Sequence, residues 1–224
     1  MKINRIPTLK LALLVLGLAC LTTQASHAQL VFHVDLDTAA LTSTDGSPYS
    51  LDFTLTYGGT LSGPTTVNIS NFSFTGGSAT GSTTITNQAS GSMGSNILLS
   101  DSNGNAVNDI FQGFTDGTTH IGFDVSLSPN FSGLTPDFFE ISILDNGNEP
   151  LWTTSPDDAQ AALVSVTVDS ANASQLTVGA FQSMDPSPLG VTASVSAIPE
   201  PSAWAMVFVG AVLFVGMRFR LRKA

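Results

Sequence analysis

Positive charge is almost missing from this sequence, and what there is sits at its two ends. Lys2, Arg5 and Lys10 open the chain and Arg218, Arg220, Arg222 and Lys223 close it, while all 17 carboxylates fall between Asp35 and Glu200. A segment without lysine or arginine cannot neutralise phosphates by ion pairing, which excludes nucleic-acid binding; an anionic polysaccharide would need bridging cations. Cysteine is equally scarce. Cys20 is the only one; it follows Leu16-Gly17-Leu18-Ala19, where Gly17 stands at the position a lipoprotein signal fills with a branched apolar residue. If Cys20 leaves with a leader, the remaining chain has no disulfide, cysteine nucleophile or thiolate metal site. Histidine is limited to His27, His33 and His120, and no Gly-x-Ser-x-Gly elbow marks a serine nucleophile. Among so many acids a glycosidase pair stays open, but no two are singled out, and the chain reads as non-enzymatic.

Long hydrophobic runs are missing too. The first apolar stretch, 11–21, lies behind Lys2, Arg5 and Lys10 and ahead of Ser26-His27-Ala28, which places small residues three and one before Gln29. Those are the three parts of a secretory signal peptide over residues 1–28, handled by the Sec machinery and cut by signal peptidase between Ala28 and Gln29. The second stretch, 203–217, would extend about 22 Å as a helix, short of a hydrocarbon core of about 30 Å. It makes a marginal transmembrane anchor, with Trp204 at the outer interface and the basic tail cytoplasmic. Pro199 and Pro201 keep the segment before it extended and open to a protease.

Ile198-Pro199-Glu200-Pro201-Ser202-Ala203-Trp204, the apolar run to Met217 and the basic tail together resemble the PEP-CTERM sorting signal of exosortase substrates in Gram-negative bacteria. The likeness covers 198–224. It implies recognition at Pro199, Glu200 and Pro201, cleavage by a membrane-embedded exosortase after transient residence in the inner membrane, and delivery to the cell surface, extracellular matrix or biofilm. A permanent single-pass anchor is the alternative. Phe32 to Leu36 and Asp137-Phe138-Phe139-Glu140-Ile141 are also similar to ectodomains of proteins that carry this tag.

Residues 29–197 suffice for one domain. They are rich in Ser, Thr, Gly and Asn, with β-branched and aromatic residues in short runs between turn formers, which predicts an all-β, antiparallel, jelly-roll-like β-sandwich of nine or ten strands. The clearest strand is 120–127, where Ile121, Phe123, Val125 and Leu127 alternate with His120, Gly122, Asp124 and Ser126. Leu51 to Tyr57, Phe139 to Ile143 and Val164 to Val168 repeat the pattern. In Val67 to Phe74 the apolar phase slips, which predicts a bulge or turn near Ser70-Asn71. Further strands are expected over 31–36, 97–100, 151–153, 176–181 and 191–195, with an edge strand at Thr83 to Thr86. Asn146-Gly147 marks a tight reversal, and one or two helical turns are expected over 156–163 behind Ser155.

Two candidate sites follow. Asp101, Asn103, Asn105 and Asp109 place oxygen ligands at alternate positions, as the first half of a Ca²⁺ loop does, although Ala106 replaces the turn glycine and Gln112 the bidentate acid; the same residues also read as a polar turn. Asp145 to Glu149 poses the same choice and is already explained as hairpin chemistry. Trp152, Tyr49, Tyr57 and Phe114 can form a stacking platform for exopolysaccharide, making a carbohydrate-binding module the rival to a structural surface protein; alternatively they belong to the core.

Overall fold

The computed structural model describes residues 29–41, 47–59, 64–128, 136–156, 161–168, 177–184 and 190–198. Twelve strands run through them: β1 Leu30–Asp37, β2 Ser50–Thr56, β3 Thr66–Thr75, β4 Ala79–Thr86, β5 Ala89–Gly91, β6 Ile97–Ser100, β7 Val107–Phe114, β8 His120–Ser128, β9 Asp137–Leu144, β10 Val164–Val168, β11 Thr177–Ala180 and β12 Thr192–Ala197. They form two six-stranded sheets, ordered β12-β1-β8-β3-β6-β5 and β11-β10-β9-β2-β7-β4. Every strand pairing is antiparallel. The sheets are called A and B below.

Alternation decides which face of each strand turns inward. Ile121, Phe123, Val125 and Leu127 of β8 are fully buried, and so are Leu51, Phe53 and Leu55 of β2 and Phe139, Ile141 and Ile143 of β9. They join one core between the two sheets, as period-two strands with one wet face must. Near its middle the rings of Phe53, Phe72 and Phe123 meet at centroid distances of 5.3 to 6.0 Å, two of the three contacts edge-on, the preferred geometry for aromatic quadrupoles. The slipped phase of β3 is a bulge: its register against β8 shifts between Ser70 and Ser73, and Asn71 takes a φ of 57°. Only short polar side chains adopt that left-handed region readily.

The reversal at Asn146-Gly147 is present. Asp145 Oδ1 accepts from the backbone N–H of Gly147 and Glu149, and Leu151 N–H returns to Ile143 O. Thr83 to Thr86 fall in β4, which is an edge of sheet B.

Several expectations are corrected. Two strands, β5 and β7, were not legible as alternating apolar runs. Segment 151–153 makes only an isolated bridge, Thr153 to Ser183. The helix expected over 156–163 does not reach its end, because Leu163 pairs in sheet fashion, donating to Ile141 O and accepting from Phe181 N–H; residues 157–160 lie outside the described residues. A 3₁₀ turn stands at Ala39–Leu41. The signal segment 1–28 with Cys20, the sorting residues Pro199, Glu200 and Pro201, and the span 203–217 also lie outside the described residues. Among the described residues no helix is long and apolar enough to cross a membrane.

Candidate functional site

The four residues of the expected Ca²⁺ loop do not converge. Asp101 follows β6 and is 1% exposed; its Oδ1 accepts from Thr65 N–H at 2.7 Å. Gly104 N–H closes a turn on Asp101 O, with Gly104 at a φ of 65°, so this stretch is a turn. Asp109 lies on β7, where its carboxylate meets Thr86 Oγ1 on the outer face of sheet B. Asn103 is exposed and Asn105 half-buried between them. Among the described residues no three His, Cys, Asp or Glu side chains are placed to hold a metal ion.

Asp101 belongs to a tie between the sheets. Thr65 Oγ1 donates to Asp137 Oδ2 at 2.6 Å, and Gly58 N–H donates to Asp137 Oδ1 at 2.8 Å. Burial, followed by the charge of Asp137, pushes Asp101 up to about 6 against the Thr65 amide, which favours the anion.

The aromatic platform is not assembled either. Tyr49 and Phe114 are each 4% exposed and stack on one another at 6.5 Å, so they are core residues. Tyr57 is half-buried just past the far end of β2, about 27 Å from Tyr49 at 3.4 Å per strand residue. Trp152 is 57% exposed in the segment after β9.

Sequence reasoning missed the outer face of sheet B. Registers align Gly179, Ser165, Glu140, Thr54, Asp109 and Thr86 side by side across all six strands. Asp52, diagonal to Asp109, forms an acid pair with it: Oδ1 of each is buried, and no other described group bonds either. Burial, then the hydrogen bond and charge of Asp109, push Asp52 up to about 8. Burial and the neighbouring carboxylate thus favour the protonated form of Asp52. Beyond Glu140, an open groove of about 300 Å³ is lined by Phe138, Glu140, Ser165, Thr167 and Phe181, among others. The far edge of the Phe181 ring lies against Gly179, where an added Cβ would come within 2.5 Å of it. The signal was in the sequence as the polar half of each alternating strand, but only the registers bring those halves into one row.

Sheet A carries a different outer face. His33 Nδ1 and Asp124 Oδ1 are 2.7 Å apart across β1 and β8, and Asn71 Nδ2 donates to Asp124 Oδ2 at 2.7 Å. Burial acts upward on Asp124, but these two hydrogen bonds and the His33 charge hold its carboxyl below the usual range. The second histidine, His120, is 3.7 Å from Asp35. Both histidines thus serve as cross-strand partners of acids, the roles that a sheet surface offers them.

No protein-family model matches the chain, and neither the curated proteins nor the solved structures hold a match to it.

Proposed function

We propose that this chain is exported, trimmed at both ends and retained at the cell surface or in the biofilm matrix as a non-enzymatic structural protein. The observation that carries the reading is the distribution of charge: every lysine and arginine flanks one of two apolar runs, and the acids lie between. Signal peptidase would act between Ala28 and Gln29, and an exosortase near Pro199, Glu200 and Pro201. The released domain would carry a formal charge of about −16 or −17, with no cationic side chain other than histidine. Its chain crosses between sheets from β1 to β2, β3, β4 and β5 in turn, a path that supports a jelly-roll-like description. Pairing of both histidines with acids across strands supports a structural role for them.

The test is intact-mass spectrometry of the protein recovered from the culture medium or cell surface. Termini at Gln29 and close to Pro199-Glu200-Pro201 are expected. A secreted form that still ends in the basic tail 218–224 would refute exosortase processing.

A further inference from the structure

We propose that the outer face of sheet B binds an uncharged polysaccharide, laid across the strands along the row Ser165, Glu140, Thr54 and Asp109 and stacked on Phe181 and Phe138. The inference deepens the matrix reading, and rests on it only for the polymer's being outside the cell.

The row consists of hydroxyls and carboxyls placed side by side by strand register. From β11 to β4 it crosses five inter-strand gaps of about 4.8 Å, or about 24 Å in all. Such a track suits a linear chain that runs on past both edges of the sheet. The aromatic rings stand where the track needs them. Phe138 neighbours Glu140 two residues along β9, Phe181 presents its ring over Gly179, and both border the 300 Å³ groove. Both rings are half-buried and line the groove, so each keeps some open surface for the C–H face of a sugar ring. Hydroxyls and carboxylates then accept and return the hydrogen bonds of sugar hydroxyls, the usual division between apolar walls and a few convergent polar groups.

Charge selects among polymers. No lysine or arginine occurs among the described residues, so a polyanion would meet only like charge on this face. Asp52, half-buried beside Asp109 and pushed toward its protonated form, lowers the attraction of this face for a polycation and adds an O–H among the acceptors. On the outer face of sheet A the row through His33 and Asp124 is already engaged by their own contact and by the Asn71 amide.

Affinity electrophoresis of the purified full chain in mild detergent tests the inference, in native gels cast with or without soluble galactomannan, arabinoxylan, mixed-linkage β-glucan or dextran. Glycol chitosan and alginate serve as the cationic and anionic arms. At least one neutral polymer should retard the chain. Phe181→Ala should weaken that retardation at least tenfold and the isosteric Glu140→Gln at least threefold, while Asn68→Ala on sheet A leaves it unchanged. A thermal melt of each variant checks that the fold persists. Absence of retardation by every neutral polymer, equal retardation of the wild type and both groove variants, or retardation only by a charged polymer would overturn the proposal. Since purified chain is used, such a failure leaves the export reading to its own mass-spectrometric test.

Discussion

Asp52 shows how one carboxyl can set a pH dependence that composition would not suggest. A polyanionic protein is expected to strain as its acids ionise, but exposed ones such as Asp35, Asp37, Asp116 and Glu149 add little individually. Asp52 is different because its burial and its neighbour Asp109 raise it from 3.8 to about 8. The folded state therefore binds a proton that the unfolded state has released. Its stabilising contribution is complete below the unfolded value near 3.8 and is lost as pH rises through the folded value near 8. Asp101, raised to about 6, acts in the same direction over a narrower window, whereas Asp124, held low, contributes stability that is lost only in acid. Stability should fall between pH 5 and pH 8 by up to about 1.4 kcal/mol per pH unit from Asp52 alone. Asp52→Asn, which mimics the protonated form, should flatten that slope in thermal melts. A variant with the slope of the wild type would show that Asp52 is not the group that takes up the proton.

At the scale of elements, most of the fold was legible because most strands have one apolar face and one polar face. β8 declares itself by Ile121, Phe123, Val125 and Leu127, and β3 even declares its bulge through the slipped phase at Ser70-Asn71. β7 did not, since its inward residues are Asn108, Ile110, Gln112 and Phe114, and two polar residues erase the period. The structure gives their reason. Asn108 Oδ1 accepts from Gln88 N–H at 3.0 Å; Gln112 Oε1 accepts from Met93 N–H at 2.8 Å, and Gln112 Nε2 donates to Gly81 O at 3.3 Å. The bonds to Gln88 and Met93 tie the chain flanking β5, itself only three residues long, to β7, and the bond to Gly81 falls where the register of β4 shifts. The missed period of β7 therefore has a physical cause: a strand that packs on irregular backbone needs amides where a strand packing on another sheet needs hydrocarbon. Asp101 to Asp109 was readable as a metal loop for a different reason: turn chemistry and oxygen ligation use the same side chains. Gln112→Leu should leave the buried Met93 N–H without an acceptor and cost about 1–3 kcal/mol in urea unfolding. Gln112→Glu, which keeps the acceptor, should cost less, and equal losses in the two would mean that packing volume rather than the hydrogen bond matters.

For the whole molecule, charge of one sign governs behaviour that no single contact controls. The described residues contain acids and two histidines but no lysine or arginine, so ion pairing on the sandwich is confined to His33 with Asp124 and His120 with Asp35. The remaining acids repel one another through solvent, a cost that falls as the screening length shrinks from about 30 Å at 0.01 M salt to about 3 Å at 1 M. Sodium chloride over that range should stabilise the domain by about 1 kcal/mol, or raise Tm by about 2–4 °C at this chain length. Calcium should do no more than sodium at matched ionic strength, because among the described residues no three acid or histidine side chains converge to hold an ion: the acids meet only in pairs, Asp52 with Asp109 and Asp101 with Asp137. A specific site would behave otherwise, since ion binding to the folded state alone raises Tm with the logarithm of ion concentration and at levels too low to screen. Differential scanning calorimetry at 1 mM CaCl₂ in a constant background of NaCl separates the two. An unchanged Tm is expected, and a rise of several degrees would show that acids from the rest of the chain complete a cation site that the sandwich alone does not form.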